Sequence, residues 1–134
     1  MTPFSLKIVT PDGIRFDGQA EELIVRTTTG DLGILAQHIN CVAPLGMGRA
    51  TVVVDGVKRY GACIGGIVSV VDGAVSLVPT TFEWAEDIDV SRAERSYERA
   101  QEVLNSKTST GTDILLAKAR LRRALIRKNV ATTK

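Results

Sequence analysis

The chain has 134 residues, the size of one average domain or of a small domain with an appendage, and can bury roughly two thirds of its unfolded surface. With 44% hydrophobic and only 4% aromatic residues, its core must rest on Val, Ile, Leu and Ala. The net charge of +2 conceals a split: residues 1–90 hold 6 Lys/Arg against 11 Asp/Glu, or −5, and residues 91–134 hold 11 against 4, or +7. The basic end therefore expects an anionic partner, in another molecule or in this one. The start, "MTPFSLKIVTPDG", has no apolar signal-peptide core, and the longest apolar run, "IGGIVSVV" at 64–71, falls far short of the ~20 residues that span a bilayer. The expectation is a soluble, intracellular protein that meets a membrane only through a partner.

In chain order, the first half reads as β structure. "FSLKIVT" and "ELIVRTT" are strands, with a turn at "PDG" (11–13). "ATVVVDGVKRYGA" and "IVSVVDGAVSLVP" are hairpins, because Asp-Gly supplies the two positive-φ residues of a type I′ turn. Val68 and Val70 alternate with Ile67 and Ser69, so one face of that strand is buried. Short strands with turns every 8–12 residues predict an all-β antiparallel sandwich or barrel over 1–84.

Residues 85–90 read as a hinge, after which the period changes. Ala93, Tyr97, Ala100 and Leu104 make a helical stripe, with Ser91 and Glu94 as a predicted capping box. "NSKTSTG" (105–111) is a loop. Thr112 or Asp113 then caps a second helix, with a stripe of Ile114, Ala117, Leu121 and either Ala124 or Leu125. The two form a C-terminal antiparallel α-helical hairpin over 91–134. Its narrow, alanine-rich stripe buries little area, so the hairpin is expected to be weakly held and able to switch its docking.

Catalytic patterns are missing. There is no GxSxG, HExxH or GxxxxGK[ST]; His38 is the single histidine and reads as a loop hydrogen-bonder; Cys41 and Cys63, 22 apart, match no zinc spacing and read as free thiols. "GACIGG" and "GMG" fit tight bends better than a phosphate cradle. The second helix is strongly basic, with Lys118, Arg120, Arg122, Arg123, Arg127 and Lys128; Arg123 and Arg127 are i, i+4 and share a face. A solvated face, an acidic protein partner and a phosphate ligand all fit these cations, whose guanidinium forks suit carboxylate or phosphate. A nucleic-acid-binding module is the alternative, but no aromatic interleaves the stripe for base stacking. Asp89 suits a helix start, whereas Arg92 sits against the helix dipole.

Four segments in order, "GDLGILAQH" (30–38), "GGIVSV" (65–70), "AEDIDVSRA" (85–93) and "RALIRKNVA" (123–131), resemble the ε subunit family of the bacterial F-type ATP synthase, over essentially the whole chain. Ala36 departs from the family's proline, and "INCVAPL" is an unusual form of the turn that follows. The resemblance implies a non-catalytic rotor subunit. Its sandwich would contact the γ subunit and the c-ring and help couple proton flow to ATP synthesis. Its hairpin would regulate: folded down it permits hydrolysis, and extended it meets acidic segments of the β (and α) subunits through Lys118, Arg120, Arg122, Arg123, Arg127 and Lys128. The implied location is peripheral, on the cytoplasmic face of the bacterial plasma membrane and membrane-associated only through the complex, with no nucleic-acid role.

Some family members bind ATP on the hairpin through Ile/Leu-Asp-x-x-Arg-Ala, which Ile88, Asp89, Arg92 and Ala93 match. The resemblance thus implies ATP as a regulatory ligand, with Arg123 and Arg127 as partner cations, Glu83 and Arg99 as flanking candidates, no metal ligand in the chain, and the Mg2+ requirement left open.

Overall fold

The computed structural model describes residues 2–106 and 110–132. It divides into two compact units, one through Trp84 and one from Ala85. Part of the predicted connecting loop, residues 107–109, and the last two residues of the hairpin range lie outside the described residues.

The first unit is a sandwich of two five-stranded sheets, which resolves the choice between sandwich and barrel. One sheet runs β2 (Gly13–Ala20), β1 (Phe4–Thr10), β9 (Ala74–Val78), β8 (Ile67–Val71) and β5 (Cys41–Pro44). The other runs β10 (Thr81–Trp84), β7 (Val57–Ile64), β6 (Met47–Val54), β3 (Glu22–Thr27) and β4 (Gly30–Ile34). Pairing is antiparallel apart from β1 with β9, which run parallel from Leu6↔Val75 to Ile8↔Leu77.

The sheets close on each other through the period-2 alternation of their strands. Phe4, Leu6 and Ile8 of β1, Val68 and Val70 of β8, and Val75 and Leu77 of β9 face inward, meeting Leu23, Val25, Ile34, Ala50 and Val52 of the opposite sheet in one apolar cluster. Cys63 lies in this cluster, and burial pushes its thiol up from 9.0 to about 12, so it stays a neutral core residue. Cys41 is half-buried and also free, as expected. At one end Trp84 packs edge-on against Phe82 and Phe16, with ring centroids 4.9 and 6.3 Å apart, while the Arg59 guanidinium lies 3.8 Å above the indole. The indole Nε1 donates to the Arg15 carbonyl at 3.1 Å.

Both Asp-Gly hairpins form as the sequence predicts. Asp55 and Gly56 have φ of 51° and 77°, and Asp72 and Gly73 have 49° and 85°, as a type I′ turn requires. The β8–β9 register pairs Ile67 with Val78 and Val71 with Ala74, leaving those side chains on the outer face. A different glycine pair makes the step from β7 into β8. Gly65 and Gly66 adopt φ of 68° and 92°, and the Gly66 carbonyl accepts from Leu45 N at 2.8 Å. His38 sits half-buried in the loop after β4, with Nδ1 2.8 Å from the Ile39 carbonyl, a local hydrogen-bonding role.

The second unit opens with a single 3-10 turn, Ala85–Asp87, followed by α1 (Val90–Asn105) and α2 (Gly111–Thr132), which pair as a hairpin. The buried residues of the helices are almost all alanines: Ala93 and Ala100 on α1, Ala117 and Ala124 on α2, joined by Val130. The α2 stripe thus passes through Ala124, while Leu125 points to solvent. Small side chains let the helix axes approach closely but remove little apolar area from water.

Candidate functional site

The residues Ile88 to Ala93 set the start of α1, and each has a specific position. Ile88 is buried, and its N–H closes the 3-10 turn onto the Ala85 carbonyl at 3.4 Å. Asp89 has extended backbone angles (φ −79°, ψ 99°), and its Oδ1 accepts from Arg92 N at 3.0 Å. Its carbonyl accepts from Ala93 N at 3.0 Å, the first helical bond. Asp89 is therefore the N-cap. This corrects the predicted Ser91–Glu94 capping box: the helix begins at Val90, so Ser91 is already inside the first turn, where its position no longer matches the cap. Ala93 is fully buried on the stripe, and Arg92 is exposed.

The same correction applies to α2. Its cap is Thr110, one residue before the first helical residue; Thr110 Oγ1 accepts from Asp113 N at 3.2 Å, and Asp113 Oδ2 accepts from Thr110 N at 3.2 Å. Asp113 is thus the reciprocal partner of a capping box, and Thr112 plays no part in it.

A cross-helix contact marks the register of the hairpin, with Lys128 Nζ lying 4.8 Å from the centroid of the Tyr97 ring. Tyr97 OH also accepts from Gln101 Nε2 at 3.2 Å. The contact brings the C-terminal part of α2, with Arg127 and Lys128, alongside the N-terminal half of α1. Arg127 and Lys128 are half-buried, whereas Lys118, Arg120, Arg122 and Arg123 are exposed along α2, and Arg99 is exposed on α1. Arg127 Nε is shielded from solvent. The remaining flanking candidate, Glu83, belongs to the other unit, on β10 opposite Ala62 of β7. Sequence reasoning missed the Tyr97–Lys128 contact. Its signal was that Tyr97 is the sole aromatic residue after Trp84.

Chemically, the unit offers exposed guanidinium groups, a capping carboxylate and buried apolar anchors. Among the described residues, no group of three or more His, Cys, Asp or Glu side chains is placed to hold a metal ion. No described helix is long and apolar enough to cross a membrane.

Comparison with known proteins divides the chain in the same two parts. Residues 3–85 match the family model of the ATP synthase delta/epsilon chain β-sandwich domain, and residues 86–132 match that of its long α-helix domain. The ATP synthase epsilon chain of Ruminococcus albus is 42% identical over 135 residues, covering all of both chains. Two solved structures share the fold. A chain of the Euglena gracilis mitochondrial ATP synthase (OSCP/F1/c-ring) matches with a TM-score of 0.83 and 21% identity, over 96% of this chain and 81% of that one. A chain of the Tetrahymena thermophila mitochondrial ATP synthase central stalk and c-ring matches with a TM-score of 0.65 and 16% identity, over 96% of each. With both units matched in order and a relative of this identity aligned end to end, the chain belongs to the ATP synthase delta/epsilon family.

Proposed function

We propose that the chain works as the ε subunit of the central stalk of a bacterial F-type ATP synthase, turning with the γ subunit and c-ring and carrying no catalytic residue. The observation that supports this most is the end-to-end relationship to a bacterial epsilon chain, spanning sandwich and hairpin alike. The sandwich transmits rotation and the hairpin regulates hydrolysis. The subunit is peripheral at the cytoplasmic face of the plasma membrane, held there by the complex.

The sandwich has a surface suited to a permanent partner. On the outer face of β5, β8 and β9 the exposed side chains include Val42, Ile67, Val71 and Val78, and none of these three strands carries a charge. Cross-strand pairing of Ile67 with Val78, and of Val42 with Ser69, makes the patch continuous. An uncharged apolar face on a sheet marks an interaction site, and γ is its occupant in this reading. The hairpin supplies the opposite chemistry. Its +7 charge is attracted to acidic segments of the β and α subunits, an attraction that physiological salt screens beyond a Debye length of about 8 Å. In the folded-down hairpin the same cations would take ATP: Arg92, Arg123 and Arg127 would neutralise the triphosphate while Ile88 and Ala93 supply apolar support.

Affinity purification tests the assignment. A tagged chain expressed with the other subunits is expected to recover γ, and the double substitution Ile67→Lys with Val78→Lys is expected to lose it while leaving the melting temperature nearly unchanged, since both positions are exposed. A wild-type chain that elutes alone would sink the assignment. A double variant that keeps γ in full would move the docking face elsewhere.

A further inference from the structure

We propose that Tyr97 and Lys128 form a latch that holds the hairpin shut and keeps Lys128 partly covered until the helices part. The inference deepens the reading of the hairpin as the regulatory element and rests on it. The seam between α1 and α2 is built from alanines, which bury little area, so the pairing is weakly held and single contacts weigh heavily in it. Tyr97 is the one bulky ring on the α1 stripe. It is half-buried, its hydroxyl is fixed by Gln101 at 3.2 Å, and its face meets the Lys128 ammonium at 4.8 Å from the centroid. The arrangement is a cation–π contact between the N-terminal half of one helix and the C-terminal part of the other, where fraying would otherwise begin.

The contact also competes with other partners of the ammonium. An ammonium seated over a ring has one face covered, so a carboxylate of another subunit reaches it less freely while the contact holds. Lys118, Arg120, Arg122 and Arg123 are exposed and can steer an acidic surface towards the closed hairpin, whereas Lys128 is half-buried and becomes fully available on opening. Opening therefore strengthens the charge contact Lys128 can make just as the latch is lost, so an acidic partner favours the open state. A cation–π pair of this exposure shifts an equilibrium by roughly two- to fivefold.

Amide hydrogen exchange of α2 in the full chain, without nucleotide or partner subunits, tests the latch. Tyr97→Leu and Lys128→Met are each expected to speed exchange of the α2 amides about two- to fivefold, and the double variant no more than the larger single one. Tyr97→Phe keeps the ring and is expected to behave nearly as the wild type. The Lys128 Hε protons should resonate upfield in the wild type, from the ring current, and return to their ordinary position in Tyr97→Leu. Additive effects, a Tyr97→Phe change as large as Tyr97→Leu, or an unshifted Lys128 signal would overturn the proposal. If Tyr97→Leu unfolds the hairpin, Lys128→Met and the Hε shift still decide the matter. Because no ATP or partner is present, failure here leaves the subunit reading standing, and failure of that reading leaves this measurement intact.

Discussion

Gly66→Ala is expected to destabilise the sandwich by about 3 kcal/mol or more and to lower its melting temperature by at least ~12 °C. Two costs combine. Gly66 has φ of 92°, where a side chain strains the backbone. A Cβ there would also fall inside van der Waals contact of the Val78 carbonyl oxygen and 2.7 Å from Pro79 Cα. Those are backbone atoms at the end of β9, so no rotamer change relieves the overlap. Moving Gly66 away would lengthen the 2.8 Å bond from Leu45 N to its carbonyl and disturb the link between β5 and β8. Gly56→Ala is the control, since Gly56 has φ of 77° but open space around its Cβ. It should cost only about 1 kcal/mol, or ~4–8 °C. Thermal melts of the two variants separate strain from overlap; a Gly66→Ala melt within a few degrees of Gly56→Ala would show that the Val78 approach is looser than the structure has it.

The second large effect concerns the ligand. Millimolar ATP is expected to raise the melting temperature of the isolated chain, and Arg92→Ala to abolish the rise. By linkage, a ligand at a hundred times its Kd stabilises the state that binds it by about 2.7 kcal/mol. Arg92 is the sharpest probe because the other residues of its motif have structural duties: Ile88 and Ala93 are buried, and Asp89 caps the helix through Arg92 N. Only the exposed Arg92 side chain has no such duty. Asp89→Ala is a poor test, since losing the cap costs about 1 kcal/mol by itself. Asp89→Ser keeps a capping oxygen and removes the charge. It is expected to match the wild type without nucleotide and to lose the response with it. An undiminished response in Asp89→Ser would confine that carboxylate to capping, and an Arg92→Ala chain that still responds would remove the motif from the ligand reading.

Much of the fold was legible because particular residues leave few alternatives. Asp55-Gly56 and Asp72-Gly73 accept positive φ readily, and the strands beside them alternate cleanly, so both hairpins and their buried faces could be read directly. The strands "CVAP" and "TFEW" have four residues each, too few to establish a period, and "GDLGI" carries two glycines; these are set by their neighbours in the sheet and left little local trace. Helix caps failed for the opposite reason. Asp89 and Ser91, and later Thr110, Thr112 and Asp113, are all capable caps, so local chemistry was degenerate. For α1 the choice fell to where Ile88 and Ala93 become buried. The candidate site was readable as a motif, but the Tyr97–Lys128 contact depends on helix register, which alanine stripes specify only weakly.

Residues 91–134 are expected to restrain hydrolysis in an assembly whose catalysis lies elsewhere. The direct measurement is ATP hydrolysis by the complex assembled with the full chain, compared with the complex whose copy ends at Val90. Faster hydrolysis is expected without the hairpin, with γ and the sandwich still co-purifying. Equal rates from the two complexes would contradict it.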